Sequence, residues 1–433
     1  MDNTHIKIQG GVPLNGQIEV FGEKNSVAKI MVASLLSDKP SILRNICHVV
    51  DTELMTNVIR AVGGEAEEIE ERVIRIENKD IHNMDEKTLQ EVVGKSRVPI
   101  LLCGPLLART GEAIIPALGG DIIGNRPVDL HLTALKKMGA KIEEKASGIY
   151  LKAKKLHGRP IRLDYPSVGA TEQILMAAVL AEGITQLSNA AIEPQIMDLV
   201  VTLRQMGADI IFEPERTFII NGVNSLSGYD HTAIPDRLEI ASWACVALGT
   251  NGKISVTDAR AEHMRSFLDK FEAAGGAFTI KDHGMEFWRG EDVITPTHVE
   301  TDVSPGFATD WQPPFAVVLT QANGQSIVHE TVYESRFGYV EALNKMGADI
   351  TLEKRCRGML CRFNDEYYHT AIINGPTPLH GAEIEVPDIR AGFSYIVGAL
   401  MAQGTTTVTN SQILNRGYEK FTEKLQNLGA QLL

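Results

Sequence analysis

Met138-Gly139-Ala140 closes an amphipathic stretch and recurs along the chain as Val62-Gly63-Gly64, Met206-Gly207-Ala208, Ala274-Gly275-Gly276, Met346-Gly347-Ala348 and Leu428-Gly429-Ala430. The first glycines of the six triplets are 76, 68, 68, 72 and 82 residues apart. Each triplet reads as a helix stopped by a C-terminal glycine and followed by a strand such as Asp349-Ile350-Thr351-Leu352. A second series is interleaved with the first. LLSDKPSILRN, LLARTGEAIIP, VLAEGITQLSN, ALGTNGKISVTD, LTQANGQSIVHE and LMAQGTTTVTN each run from the end of an apolar helix into β-rich sequence. Each unit therefore carries two helices alternating with strands. A unit of about 70 residues cannot bury both faces of its elements alone, so units pack together. Six such units in 433 residues predict an α/β fold of two domains with three units each.

Bulk properties narrow the function classes. Hydrophobic residues make up 44% and charged residues 22%, enough apolar sequence to build large cores without staples. A net charge of −13 argues against nucleic acid or an anionic membrane as partner, so basic residues that meet anionic substrates must be concentrated locally. Five cysteines form an odd, sparse set rather than a disulfide framework. Cys47, Cys103 and Cys245 lie in apolar surroundings and read as core. Cys356 and Cys361 lack CxxC spacing and a nearby His pair, so the spacing predicts no metal site. MDNTHIKIQGG does not read as a signal peptide and no apolar run spans a membrane, so a cytoplasmic location is expected.

The helix starts hold the chemistry. One set reads Glu23-Lys24-Asn25-Ser26, Lys95-Ser96-Arg97, Ser167-Val168-Gly169-Ala170-Thr171, Pro235-Asp236-Arg237, Thr309-Asp310 and Pro387-Asp388-Ile389-Arg390. The other starts near Arg126-Pro127, Glu193-Pro194, Glu334-Ser335-Arg336 and Asn415-Arg416. Ser167, Asp236 and Asp388 read as caps, worth about 1 kcal/mol each. Cations at helix N-termini are disfavoured by the dipole, by roughly 0.3–1 kcal/mol. Lys24, Arg97, Arg126, Arg336, Arg390 and Arg416 repeat that choice. Arg126, Arg336 and Arg416 sit 13, 11 and 13 residues before their glycine stops. An anionic ligand would offset the cost, and guanidinium groups suit carboxylate and phosphate. The loop Gly119-Gly120-Asp121-Ile122-Ile123-Gly124-Asn125-Arg126-Pro127 adds an acid five residues before a base. No GxGxxG follows a strand and no GxxxxGK[ST] occurs, which excludes a dinucleotide fingerprint and a P-loop.

At these residues the whole chain resembles the UDP-N-acetylglucosamine enolpyruvyl transferases. The resemblance rests on Gly22-Glu23-Lys24-Asn25, Gly104-Pro105-Leu106-Leu107-Ala108-Arg109, the loop Gly119 to Asp129, and Pro166-Ser167-Val168-Gly169-Ala170-Thr171-Glu172. It continues through Pro235-Asp236-Arg237, Phe307-Ala308-Thr309-Asp310, Glu334-Ser335-Arg336-Phe337, Pro387-Asp388-Ile389-Arg390-Ala391-Gly392 and Asn415-Arg416-Gly417-Tyr418-Glu419. Shikimate-phosphate enolpyruvyl transferases share the sixfold architecture but not the SVGAT and GGxxIGxRPVD segments. The resemblance implies two inside-out, barrel-like α/β domains of three repeats each. Residues 23–233 would form the N-terminal domain with the active-site loop, and 1–22 with 234–433 the C-terminal domain.

It further implies transfer of the enolpyruvyl group of phosphoenolpyruvate to the 3-hydroxyl of UDP-N-acetylglucosamine with release of phosphate, the first committed step of peptidoglycan synthesis. Lys24, Arg126 and Arg416 would meet the phosphate, Arg336 and Arg390 the carboxylate. Asn25 and Arg97 would position substrate. Arg126, Pro127, Val128, Asp129, Leu130, Tyr165, Pro166, Ser167, Val168 and Val332 resemble the UDP-sugar site. Asp310 matches the base beside the sugar hydroxyl, and Asp121 stands where most members carry a cysteine acid. With a carboxylate there, covalent inactivation by fosfomycin is not expected. No cofactor, metal or obligate protein partner is implied. Ile413-Leu414-Asn415 and Ile192-Glu193-Pro194-Gln195 depart from the family's usual His-Ile-Asp and Arg-Glu-Pro-Glu, which bears on acceptor preference. The alternatives are the same transfer to another nucleotide or nucleotide sugar, or a UDP-sugar-binding paralogue without turnover.

Overall fold

The computed structural model describes residues 5–85, 88, 91, 94, 96–119, 127–145, 147–363 and 366–433. Their elements recur in one order: helix, strand, helix, then two strands. Helix Lys24–Ala33, strand Ser41–Arg44, helix Val50–Ala61 and strands Glu65–Glu70 and Val73–Glu77 are the first instance. The last of these strands lies between the other two and pairs antiparallel with both. A short strand, Asp230–Thr232, adds parallel to Ser41–Arg44. The described residues form six small sheets in this style, five of four strands and one of three.

The six glycine stops carry this pattern. Gly63, Gly139, Gly207, Gly275, Gly347 and Gly429 have φ between 89° and 107°. A side chain disfavours that left-handed backbone and glycine does not, so each helix ends there and the chain turns into a strand. The caps read from sequence also act as such. Ser167 Oγ accepts the Ala170 N–H at 3.3 Å, Asp236 accepts Leu238 N–H and Glu239 N–H, and Asp388 accepts Ala391 N–H at 2.9 Å.

Two compact units result. Among the described residues one comprises 5–20 and Pro235–Leu433, the other Phe21–Ile234; three sheets belong to each. In the first unit the N-terminal segment completes two sheets. Strand His5–Gln9 pairs antiparallel with Thr405–Thr409 and with Gln431–Leu432, and Asn15–Glu19 runs parallel to Lys253–Thr257. Each unit has its own core. In helix Arg237–Thr250 every residue except Gly249 is buried. Such a helix must be surrounded by protein. It packs on helices Gln312–Leu319 and Ile389–Met401, which are equally apolar. The glycine-stopped helices are amphipathic instead. Arg265–Ala273, for example, buries Phe267, Leu268 and Phe271 and leaves the rest to solvent or partial cover. No helix among the described residues is long and apolar enough to cross a membrane.

Candidate functional site

Each unit carries a cluster of the residues singled out by sequence. In the unit Phe21–Ile234, Lys24 opens helix Lys24–Ala33, and its ammonium meets Asp51 Oδ2 at 2.7 Å. Asp51 is in the first turn of helix Val50–Ala61 and is buried. Asn25 follows, its carbonyl accepting from Lys29 Nζ at 2.9 Å. Lys29 lies 3.9 Å from Glu172 of helix Val168–Ala178. Burial of Glu172, only partly offset by Lys29, raises its carboxyl to about 7.

Pro127 and Val128 lead into helix Asp129–Lys137, which Asp129 and Leu130 begin. His131 on that helix touches the start of the next: a Cβ on Gly169 would stand 3.0 Å from its ring. Tyr165, Pro166, Ser167 and Val168, all half-buried, lead up to Gly169 at that helix start. Burial first, and then the positive charge of Arg97, push His131 down to about 4. Its ring is neutral near pH 7. Arg97 itself caps the short 3-10 helix Val98–Leu102.

In the other unit the centre is Arg336, 2% exposed. Its Nη2 donates to Asp310 Oδ1 at 2.7 Å, its Nε to the Thr309 carbonyl at 3.4 Å, and Nη1 lies 3.8 Å from Asp388 Oδ1. Burial works against the guanidinium charge, but Asp310, Asp388 and Glu330 outweigh it and hold its pKa above the ordinary value. Glu330 is buried beside them. It accepts Val332 N–H at 2.8 Å, Tyr333 N–H at 3.1 Å and the Thr309 hydroxyl at 3.0 Å. Burial raises its pKa despite these partners. Asp310, with a side chain 26% exposed, is the open edge of the cluster. The segment Ser411–Arg416 packs on helix Ile389–Met401, and Arg416 ends it. Asp121 and Arg126 lie outside the described residues, as does the side chain of Arg390.

The dipole argument for the cations holds only in part. Lys24 and Arg390 stand in the first turn of their helices, but Arg336 precedes helix Val340–Lys345 by four residues and Arg416 ends a 3-10 helix. Where the charge is buried or near a helix start, the protein supplies its own carboxylates: Asp51 for Lys24, and Asp310, Asp388 and Glu330 for Arg336. Asp51, Glu330 and Lys29 were not singled out from sequence. Asp51 and Lys29 meet Lys24 and Glu172, 27 and 143 residues away, and Glu330 holds the Thr309 hydroxyl 21 residues away. No local pattern announces such a pair.

Chemically, the first cluster offers a lysine paired with Asp51, a neutral imidazole at His131 and a carboxyl with a raised pKa at Glu172. The second offers a fixed guanidinium and an accessible carboxylate, suited to hold an anion and to take a proton. A family model described as EPSP synthase (3-phosphoshikimate 1-carboxyvinyltransferase) matches residues 8–425. The UDP-N-acetylglucosamine 1-carboxyvinyltransferase of Protochlamydia amoebophila is 44% identical, over 99% of this chain and 93% of the relative. That of Chlamydia pneumoniae is 41% identical, over 97% and 92%. Among solved structures, the enolpyruvyl transferase NikO from Streptomyces tendae superposes with a TM-score of 0.87 at 24% identity, covering 99% of this chain and 98% of that one. EPSP synthase from Acinetobacter baumannii gives 0.76 at 17%, covering 99% and 100%. These two establish a common mixed α/β fold. With the family model spanning nearly the whole chain and relatives above 40% identity, the chain belongs to the enolpyruvyl transferase family, together with the UDP-N-acetylglucosamine 1-carboxyvinyltransferases.

Proposed function

We propose that this protein transfers the enolpyruvyl group of phosphoenolpyruvate to the 3-hydroxyl of UDP-N-acetylglucosamine, releasing phosphate and committing the sugar to peptidoglycan. The observation that carries this is near-full-length identity of 41–44% to relatives bearing that activity in their names. The six sheets, three to a unit, support reading the chain as two barrel-like domains of three repeats, with residues 23–233 in one and 1–22 with 234–433 in the other.

The chemistry assigns the residues. The sugar hydroxyl attacks C2 of phosphoenolpyruvate while C3 takes a proton; loss of that proton and of phosphate from the tetrahedral intermediate restores the double bond. Cations must hold the carboxylate and balance the departing phosphate. We assign Lys24, Arg126 and Arg416 to the phosphate and Arg336 and Arg390 to the carboxylate, with Asn25 and Arg97 positioning substrate. Asp310 is the base for the hydroxyl proton, with Arg336 fixing its Oδ1. Residues 127–130, 165–168 and Val332 take the UDP-sugar, and Asp121 is the acid for C3. The buried thiols Cys47, Cys103 and Cys245 suit a cytoplasmic protein.

Mass spectrometry of the product formed from phosphoenolpyruvate and UDP-N-acetylglucosamine, with phosphate release measured in parallel, tests the reading. A UDP-sugar carrying one added enolpyruvyl group and stoichiometric phosphate are expected. Turnover with another nucleotide sugar, and none with this one, would replace the acceptor but keep the reaction. No phosphate release with any acceptor would reject both.

A further inference from the structure

The hairpin of strands Asp349–Glu353 and Thr370–Gly375 is closed by a loop carrying Cys356-Arg357-Gly358-Met359-Leu360-Cys361. Enolpyruvyl transfer makes no use of it. The loop is fastened down. Glu300 accepts the Met359 and Leu360 N–H groups at 2.8 Å each, and Arg362 reaches Asp302 at 2.7 Å. Gly358 lies against His329, where a Cβ would come within 2.2 Å of Cδ2, so only glycine lets the loop settle there. The sequence reading, which expected neither a disulfide nor a metal site, missed this grouping because His329 ends a different strand, Gly324–His329. In the structure the two sulfurs are joined, and the donor atoms of His329, Cys356 and Cys361 lie within 4.8 Å of one another.

The hydrogen bonds around His329 say what such a cluster is suited to. Its Nδ1 faces Thr370 Oγ1 at 2.9 Å, and that hydroxyl donates to the Arg355 carbonyl at 3.0 Å. The hydroxyl oxygen is then an acceptor for Nδ1–H. Nε2 faces the cysteines: its N–H donates to the Leu360 carbonyl at 2.9 Å, and Cys356 Sγ lies 3.7 Å away. A cation at Nε2 would take the place of the proton shared with the Leu360 carbonyl. An imidazole oriented through its second nitrogen by a fixed acceptor is also the usual setting of a metal-bound histidine. A disulfide across a separation of five residues closes a short loop and removes less unfolded-state entropy than a long one would.

We propose that the dithiol form of this loop binds a thiophilic divalent cation, with Cys356 Sγ, Cys361 Sγ and His329 Nε2 as ligands and water in the fourth position on the exposed side of Cys361. Two sulfurs and one imidazole suit zinc. A thiol reductant delivers two electrons and two protons to cleave the sulfur–sulfur bond. The cation then displaces both thiol protons, and the two thiolates balance its charge. The site rests on none of the catalytic assignments above.

Full-length protein, reduced with a phosphine, desalted without oxygen and titrated with Co2+, tests it. One equivalent is expected to bind with a near-ultraviolet thiolate-to-cobalt band that Zn2+ removes. Cys356→Ser and Cys361→Ser should each weaken binding at least ~10-fold, the scale that outer-shell partners alone reach, and the double variant should lose the band. His329→Gln, with folding followed by its melting curve, should keep a weaker thiolate band with altered visible transitions. No band in the reduced protein, a band that survives in the double serine variant, or unchanged affinity in folded His329→Gln would each overturn the proposal.

Discussion

Asp310→Asn separates catalysis from structure at the most exposed member of the Arg336 cluster. The amide keeps the shape of the side chain and removes its charge. Breaking a buried ion pair by deleting one partner costs about 3–5 kcal/mol when the remaining charge is stranded. Here it is not stranded. Asp388 Oδ1 stays 3.8 Å from Nη1, Glu330 remains beside the guanidinium, and Asp310 is itself 26% exposed. The loss should therefore be about 1–2 kcal/mol. For a unit of roughly 200 residues that lowers Tm by about 2–8 °C. A purely structural role would end there. If Asp310 takes the hydroxyl proton, turnover falls by ~10²–10⁴-fold as well. The assay is steady-state phosphate release with phosphoenolpyruvate and UDP-N-acetylglucosamine, beside a melting curve of the same preparation. Near-normal kcat in a protein that has lost only a few degrees would refute the assignment of the base.

Three further outcomes can be measured. If Lys24 meets the phosphate as proposed, Lys24→Ala removes a charge-assisted contact and should lower kcat/KM for phosphoenolpyruvate by about 10–100-fold; an unchanged value would remove Lys24 from the site. Glu172 releases its proton near 4.5 when unfolded and near 7 when folded. The folded state thus holds the extra proton, and stability contributed by Glu172 is lost as pH rises through that window, by about 3 kcal/mol in all. Below about 6.5 the depressed His131 works in the opposite sense, so the comparison is between variant and parent: Glu172→Gln should be the more stable at pH 8 in urea unfolding, and equal pH slopes for the two proteins would count against a buried ionising Glu172. Finally, preincubation with fosfomycin and UDP-sugar should leave activity intact, because a carboxylate is a weak nucleophile toward an epoxide, whereas Asp121→Cys should gain time-dependent inactivation and a covalent adduct by intact-mass analysis. An adduct on the unaltered chain would reject that argument.

Signals that act over a few residues were legible in the sequence alone. Gly139 and its five counterparts stop helices because a left-handed backbone conformation is a property of one residue and its neighbours, and all six have it. Ser167, Asp236 and Asp388 cap helices for the same local reason, reaching N–H groups two or three residues ahead. Recurrence of the glycine stop six times announced the alternation of helices and strands, and the order of motifs from Gly22-Glu23-Lys24-Asn25 to Asn415-Arg416-Gly417-Tyr418-Glu419 announced the family. Which charge meets which was decided only by the tertiary structure. Six cations near helix starts suggested a ligand to offset them, yet Lys24 lies against Asp51 and Arg336 sits among Asp310, Asp388 and Glu330. Likewise the C-x4-C spacing of Cys356 and Cys361 was uninformative until strand Gly324–His329 brought an imidazole to them. Such ion pairs span 2.7–3.8 Å between residues brought together from different elements, and those distances exist only once each core has packed.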